Sequence, residues 1–101
     1  MSESQEVFDI VSGNFELQKC DVISPEELHF ILTQRIRELL DKNVEKLIHI
    51  LYRIDVNQKK TDSIFNNPFK DEIAEQLASA VIERQLQKIE TRNKFRNKKE
   101  I

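Results

Sequence analysis

The clearest helix signal lies in residues 24–41, which read SPEELHFILTQRIRELLD. Ser24 has the side chain of an N-cap, Pro25 suits the first helical position, and Glu27 completes a capping box. Beyond them, apolar side chains recur at helical spacing and define one face: Leu28, Ile31, Leu32, Ile36, Leu39 and Leu40. The pattern predicts a helix over 25–41 that packs against other elements through this face.

Two shorter helices are predicted next. Asn43 has the side chain of an N-cap for a helix over 44–55, whose apolar residues cover more than half of its circumference. A helix with so wide an apolar face is expected to lie at the centre of the bundle, covered on two sides. A short helix over 58–66 is expected to follow after a tight turn.

The last helix, predicted over 68–95, is long for its domain. No glycine or proline interrupts residues 69–101, and acids near its start and bases near its end suit the helix dipole. At 1.5 Å per residue it spans roughly 40 Å, whereas a compact domain of this size is about 34 Å across. Its distal apolar side chains turn away from the proximal ones and need a separate cover: Ile82, Leu86 and Ile89. Either the N-terminal segment or a second copy of the chain would supply that cover.

The N-terminal segment has a strand-like pattern. Apolar and polar residues alternate over 7–11 and again over 15–22, and Ser12-Gly13-Asn14 between them has turn chemistry around the only glycine. These features predict a β-hairpin or an extended segment. The expected fold class is therefore mainly α, a small bundle of about four helices with a long C-terminal helix. Its expected parts are an acidic N-terminal segment (1–24), a helical domain (25–95) and a frayed basic tail (96–101).

Length and composition narrow the class of protein. A chain of 101 residues with 39% apolar and 34% charged residues suits one soluble domain. Its single cysteine excludes an internal disulfide framework and a zinc site built from several cysteines. The first residues lack the basic and apolar regions of a secretory signal, and no run approaches the roughly 18 apolar residues of a membrane span. We therefore expect a cytoplasmic protein with no membrane contact.

The residues able to carry chemistry do not form a recognisable catalytic or metal motif. His29 and His49 fall on different predicted helices without a third ligand, and Cys20 lacks an orienting base nearby in the sequence. Most carboxylates lie at predicted helix starts or in the acidic N-terminal segment. We therefore expect no enzyme, no cofactor, no metal and no small-molecule ligand.

The leading functional hypothesis is a small non-enzymatic module for protein–protein interaction. The length of the last helix and the turn of its apolar face predict that its distal half binds a protein partner or a second copy, forming a homodimer. The expected interface residues are apolar anchors with flanking cations: Ile82, Leu86, Ile89, Lys88 and Arg92.

The alternative hypothesis is a nucleic-acid-binding accessory protein. Residues 83–101 carry seven basic and three acidic residues, and the short helix 58–66 follows its predecessor with the outline of a helix-turn-helix. The side chains that would contact phosphates or bases are Lys59, Lys60, Arg92, Lys94, Phe95, Arg96, Lys98 and Lys99. The formal net charge of −2 argues against a dedicated nucleic-acid binder.

Overall fold

The computed structural model describes residues 3–22 and 24–99, with side chains as far as Lys94. Within these ranges the chain forms five α-helices and no β-strand. They are α1 (Glu3–Phe15), α2 (Pro25–Lys42), α3 (Val44–Arg53), α4 (Gln58–Phe65) and α5 (Lys70–Lys99). The mainly helical fold is confirmed, but the described helices number five, not about four.

The predicted hairpin over 7–11 and 15–22 is wrong, because α1 occupies its first strand and its turn. The buried apolar side chains of α1 lie at helical spacing: Val7, Phe8, Val11 and Phe15. Ile10, which alternates with Phe8 in the sequence, is 39% exposed and does not share that buried face. The apolar residues that alternate like those of a strand therefore belong to a helix, in which only some of them face the core.

The turn chemistry in this segment ends a helix instead of joining two strands. Glu16 has a φ of 56°, in the left-handed region. The N–H of Leu17 donates to the carbonyl oxygen of Ser12 at 2.8 Å, and the N–H of Glu16 donates to that of Gly13 at 3.3 Å. These two bonds are those of a Schellman motif, which satisfies carbonyl groups left free at a helix end.

The predicted N-cap and first residue of α2 are confirmed. The backbone N–H of Glu27 donates to the Ser24 hydroxyl oxygen at 3.1 Å, and Pro25 is the first helical residue. Asn43 then separates α2 from α3 and caps both of them. Its N–H donates to the Leu39 carbonyl oxygen at 2.8 Å, and its side-chain oxygen accepts from the N–H of Lys46 at 3.1 Å. A single residue can therefore serve as the break between two helices.

Helix α5 runs antiparallel to α2. The contact between these two helices is more extensive than that of any other helix pair. Near the start of α5, Asp71 pairs with Arg37 of α2 at 3.1 Å. Further along α5, the carbonyl oxygen of Glu75 lies 3.1 Å from the His29 ring nitrogen Nε2, near the start of α2. The second half of α5 extends past α2, where α1 packs against it.

The distal face of α5 joins the core of the single chain. Ile89 is 1% exposed and belongs to the same apolar cluster as Val7 and Phe8 of α1. Ile82 and Leu86 are partly buried against that cluster. Helix α1 packs against α5, and its Glu6 pairs with Arg92, so the N-terminal segment contributes to the cover of this face, as a helix. Among the described residues, no helix is both long enough and apolar enough to cross a membrane.

Candidate interaction surface

The predicted interface on distal α5 is largely occupied within the chain. Ile89 is buried, and the Lys88 ammonium lies 3.4 Å from the carbonyl oxygen of Ile54 and 3.8 Å from the Asp55 carboxylate. Arg92 pairs with Glu6 of α1 at 3.7 Å. The side chains of Ile82 and Leu86 are partly buried, so only part of their surface is exposed to solvent. The structure therefore places Arg92 against α1 and Lys88 against the turn between α3 and α4, while Ile82, Leu86 and Ile89 pack on the core instead of forming an open apolar face.

The side chains of the nucleic-acid alternative are spread over the molecule. Lys60 pairs with Glu83 at 3.0 Å, and Arg92 pairs with Glu6. Lys59 and Lys94 are exposed on α4 and α5. The side chains of Phe95, Arg96, Lys98 and Lys99 lie outside the described ones. The binding of nucleic acid stays a prediction, and the described cations are partly neutralised.

The histidines and the cysteine are far from forming a reactive group. Nε2 of His29 lies 3.1 Å from both the Glu75 carbonyl oxygen and the Ser79 hydroxyl oxygen, which ties α2 to α5. His49 and Cys20 are exposed. Over the described part of the chain, no group of three or more His, Cys, Asp or Glu side chains is placed to hold a metal ion.

Among the residues whose side chains are described, three exposed apolar residues lie together on α3. Val44, Ile48 and Tyr52 follow one another at four-residue spacing, so they share one face of the helix. Their exposed fractions are 41%, 39% and 61%. The other large apolar residues with comparable exposure lie on three separate segments: Ile10, Phe30 and Phe69. We call Val44, Ile48 and Tyr52 the α3 stripe.

A groove between α3 and α4 borders the α3 stripe. Its volume is about 100 Å³, and its lining is mostly apolar: Ile48, Leu51, Tyr52, Val56, Gln58, Thr61, Asp62 and Phe65. Leu51 forms the floor on the α3 side, since it is 2% exposed, while Phe65 is only partly buried on the α4 side. The α3 stripe and this groove together offer a ridge beside a depression, the shape into which a helix from another chain packs.

The turn between α3 and α4 fixes the groove. Asp55 has a φ of 65°, and the N–H of Val56 donates to the Leu51 carbonyl oxygen at 3.1 Å, which again forms a Schellman motif. The Arg84 guanidinium donates to both the backbone and the side-chain oxygens of Asp55, each at 3.0 Å. The hydrogen bond from Arg84 to the Asp55 carboxylate and the positive charges of Arg84 and Lys88 hold the pKa of this carboxyl below its ordinary value. Helix α5 therefore anchors the turn that sets α4 beside α3.

A buried amide reinforces the same connection. Gln85 is 3% exposed, and its side-chain N–H donates to the carbonyl oxygen of Ile54 at 3.0 Å. Asn57 begins α4 by accepting a hydrogen bond from the N–H of Lys60 at 3.2 Å. Both ends of the short connection are thus fixed by hydrogen bonds, so the groove is part of the folded framework.

Two opposite charges flank the α3 stripe. Glu45 lies one residue after Val44 and Arg53 one residue after Tyr52, so both lie to the same side of the α3 stripe. At about 100° per residue, Glu45 is turned roughly 60° from Ile48 and Arg53 roughly 140°. Both side chains belong to exposed residues. Neither makes an ion pair with another side chain of residues 3–22 and 24–94. The α3 surface therefore has an acidic first turn and a basic last turn.

Sequence reasoning missed this surface because it assigned the wrong position to α3. The expectation that this helix is central and covered on two sides is wrong: it packs mainly on α2, and the α3 stripe faces outward. The wide apolar face was a usable signal, since an apolar face too wide for one neighbouring element is either covered by a second one or left exposed.

Comparison with known family models, curated proteins and solved structures found no match to the chain.

Proposed function

We propose that the protein is a small non-enzymatic helical module that binds another protein chain through the α3 stripe and the adjoining groove. The observation that carries this proposal is the alignment of Val44, Ile48 and Tyr52 on one exposed face. Apolar residues scattered singly over a surface need no explanation, but a contiguous set beside a groove is typical of interaction sites. Tyr52 also belongs to a residue type that is enriched at the centres of protein interfaces.

The α3 surface is a better candidate than the distal half of α5. Ile89 has almost no exposed area left, and Arg92 pairs with Glu6. A partner would have to displace α1 to reach these residues, which would uncover the apolar face of that helix. The α3 stripe, in contrast, can be covered without disturbing any contact of the folded chain.

The test is site-specific photocross-linking in the cells that make the protein. A photoreactive phenylalanine analogue replaces Tyr52 in one variant and Phe30 in the control, two positions whose natural side chains are 61% and 62% exposed. We expect a discrete cross-linked protein product from position 52 and none from position 30. The absence of a product from position 52, or the same diffuse products from both positions, would refute the proposal.

A further inference from the structure

We infer that the partner covering the α3 stripe is a second copy of this chain, related by a two-fold axis near Ile48 so that the two α3 helices run antiparallel. The inference rests on the proposed function and specifies its partner. It is carried by two independent properties of α3, the symmetry of its exposed apolar residues and the placement of its unpaired charges.

The apolar residues are arranged symmetrically about Ile48. Val44 lies four residues before it and Tyr52 four residues after it, on the same face. In a two-fold arrangement each surface meets itself in reverse order. Ile48 therefore meets Ile48 of the second copy, and the small Val44 faces the large Tyr52 of the second copy. The smaller side chain leaves room for the larger one at both ends of the contact.

The charges favour the same orientation. Glu45 and Arg53 stand at opposite ends of α3, on the same side of the α3 stripe, and both belong to exposed residues. Antiparallel packing places Glu45 at the same end of the contact as Arg53 of the second copy, and it does so twice because of the two-fold axis. Parallel packing would place like charges at the same end of the contact, which is repulsive. The surface is thus complementary to itself in only one of these two orientations.

The groove extends the contact beyond the two α3 helices. The α3 stripe of one copy lies beside the depression lined by Val56, Thr61 and Phe65, so the partner helix also reaches α4. The assembled contact consists of α3 and α4 from both copies, a four-helix arrangement that covers the exposed side of Tyr52. At this contact, the row of side chains on one helix packs into the grooves between the rows of its neighbour.

The first experiment measures the mass of the purified full chain by sedimentation equilibrium from micromolar to millimolar concentration. We expect the mass to rise from 12.0 kDa toward twice that value. The variant Ile48→Lys is expected to remain monomeric at every concentration. The control Phe30→Lys, altered at an exposed residue of α2, is expected to dimerise like the wild type. Unchanged helical circular dichroism in both variants verifies that they remain folded.

A charge-reversal series tests the orientation. Glu45→Arg and Arg53→Glu, each alone, replace two attractive contacts with two repulsive ones and should raise the dimer Kd by about tenfold. The double variant restores opposite charges and should return the Kd to near the wild-type value. An equimolar mixture of the two single variants should form a heterodimer more tightly than either variant associates with itself. Failure of both rescues would overturn the antiparallel arrangement.

The outcomes separate this inference from the proposed function. A wild-type chain that stays monomeric at millimolar concentration, yet forms a discrete cross-link from position 52 to a different protein, overturns the second copy as partner and leaves the interaction function intact. A cross-linked product of twice the chain mass, together with a dimer abolished by Ile48→Lys, supports both. A monomer without any cross-linked product from position 52 overturns both.

Discussion

Replacing Ile89 with alanine tests whether α1 and distal α5 share one core. The side chain is 1% exposed, and the substitution removes three buried carbon atoms. Loss of their transfer free energy costs roughly 2.4 kcal/mol, and the cavity left in a packed core brings the total to about 3–4 kcal/mol. For a chain of this length, that loss lowers the Tm by roughly 12–30 °C.

The measurement is urea unfolding followed by circular dichroism at low micromolar chain, where dissociation of an oligomer does not contribute. Ile10→Ala is the matched control, because Ile10 is 39% exposed and the change in side chain is identical. We expect the control to cost about 1 kcal/mol or less. Equal, small losses for the two variants would refute the reasoning, since they would show that Ile89 is not covered by the helix that includes Val7 and Phe8.

Three further perturbations test how the helices end and how they are connected. Asn43→Ala removes the cap of α3 and should cost about 1 kcal/mol in urea unfolding. Asp55→Gly should be less destabilising than Asp55→Ala in the same assay, because both lose the contacts with Arg84 but only glycine adopts a φ of 65° without strain. Stability should fall as the pH drops below the ordinary carboxyl pKa values of 4.5 and 3.8, because hydrogen bonds from Lys46, Lys70 and Arg84 lower the pKa values of Glu16, Asp41 and Asp55 in the folded state. A carboxyl whose pKa is depressed by folding stabilises the protein above its unfolded pKa, and this stabilisation is lost through the folded pKa. Urea unfolding repeated at decreasing pH should show a smaller loss of stability in Asp55→Asn than in the wild type.

Helix starts were predictable because their chemistry is local. Ser24 and Pro25 mark the start of α2 within a few residues of sequence, and Asn43 marks the start of α3 in the same way. The absence of glycine and proline after residue 69 likewise indicated the long last helix. At the starts of α2 and α3 the hydrogen-bond partner of the cap lies within one helical turn, so a short stretch of sequence contains the whole interaction.

The N-terminal helix was not predictable from the same kind of pattern. Ser12-Gly13-Asn14 favours both a hairpin turn and the end of a helix, and the choice depends on what covers Val7, Phe8 and Phe15. That cover comes from α2 and α5, far along the chain. Propensity over a few residues contains no information about such contacts, and tertiary packing decides between the two outcomes.

The candidate surface was missed for a related reason. The wide apolar face of α3 indicates that the helix needs more than one neighbour. It does not indicate whether the second neighbour belongs to the same chain. The turn that sets α4 beside α3 depends on Arg84 and Gln85, about thirty residues away. The residues of the surface were visible in the sequence, whereas the groove beside them follows from contacts of the turn with α5.

The place of α5 also governs how the chain folds during its synthesis. Helices α1, α2 and α4 pack against α5, and Ile54, the residue that follows α3, accepts hydrogen bonds from it. All four emerge from the ribosome before the helix on which they assemble. At 5–20 residues per second, the interval from Pro25 to Ile89 lasts roughly 3–13 s. Throughout this interval α1, α2 and α3 can already pack on one another, but the apolar surfaces that face α5 have no native partner, and such exposed surface makes an incomplete chain prone to aggregation.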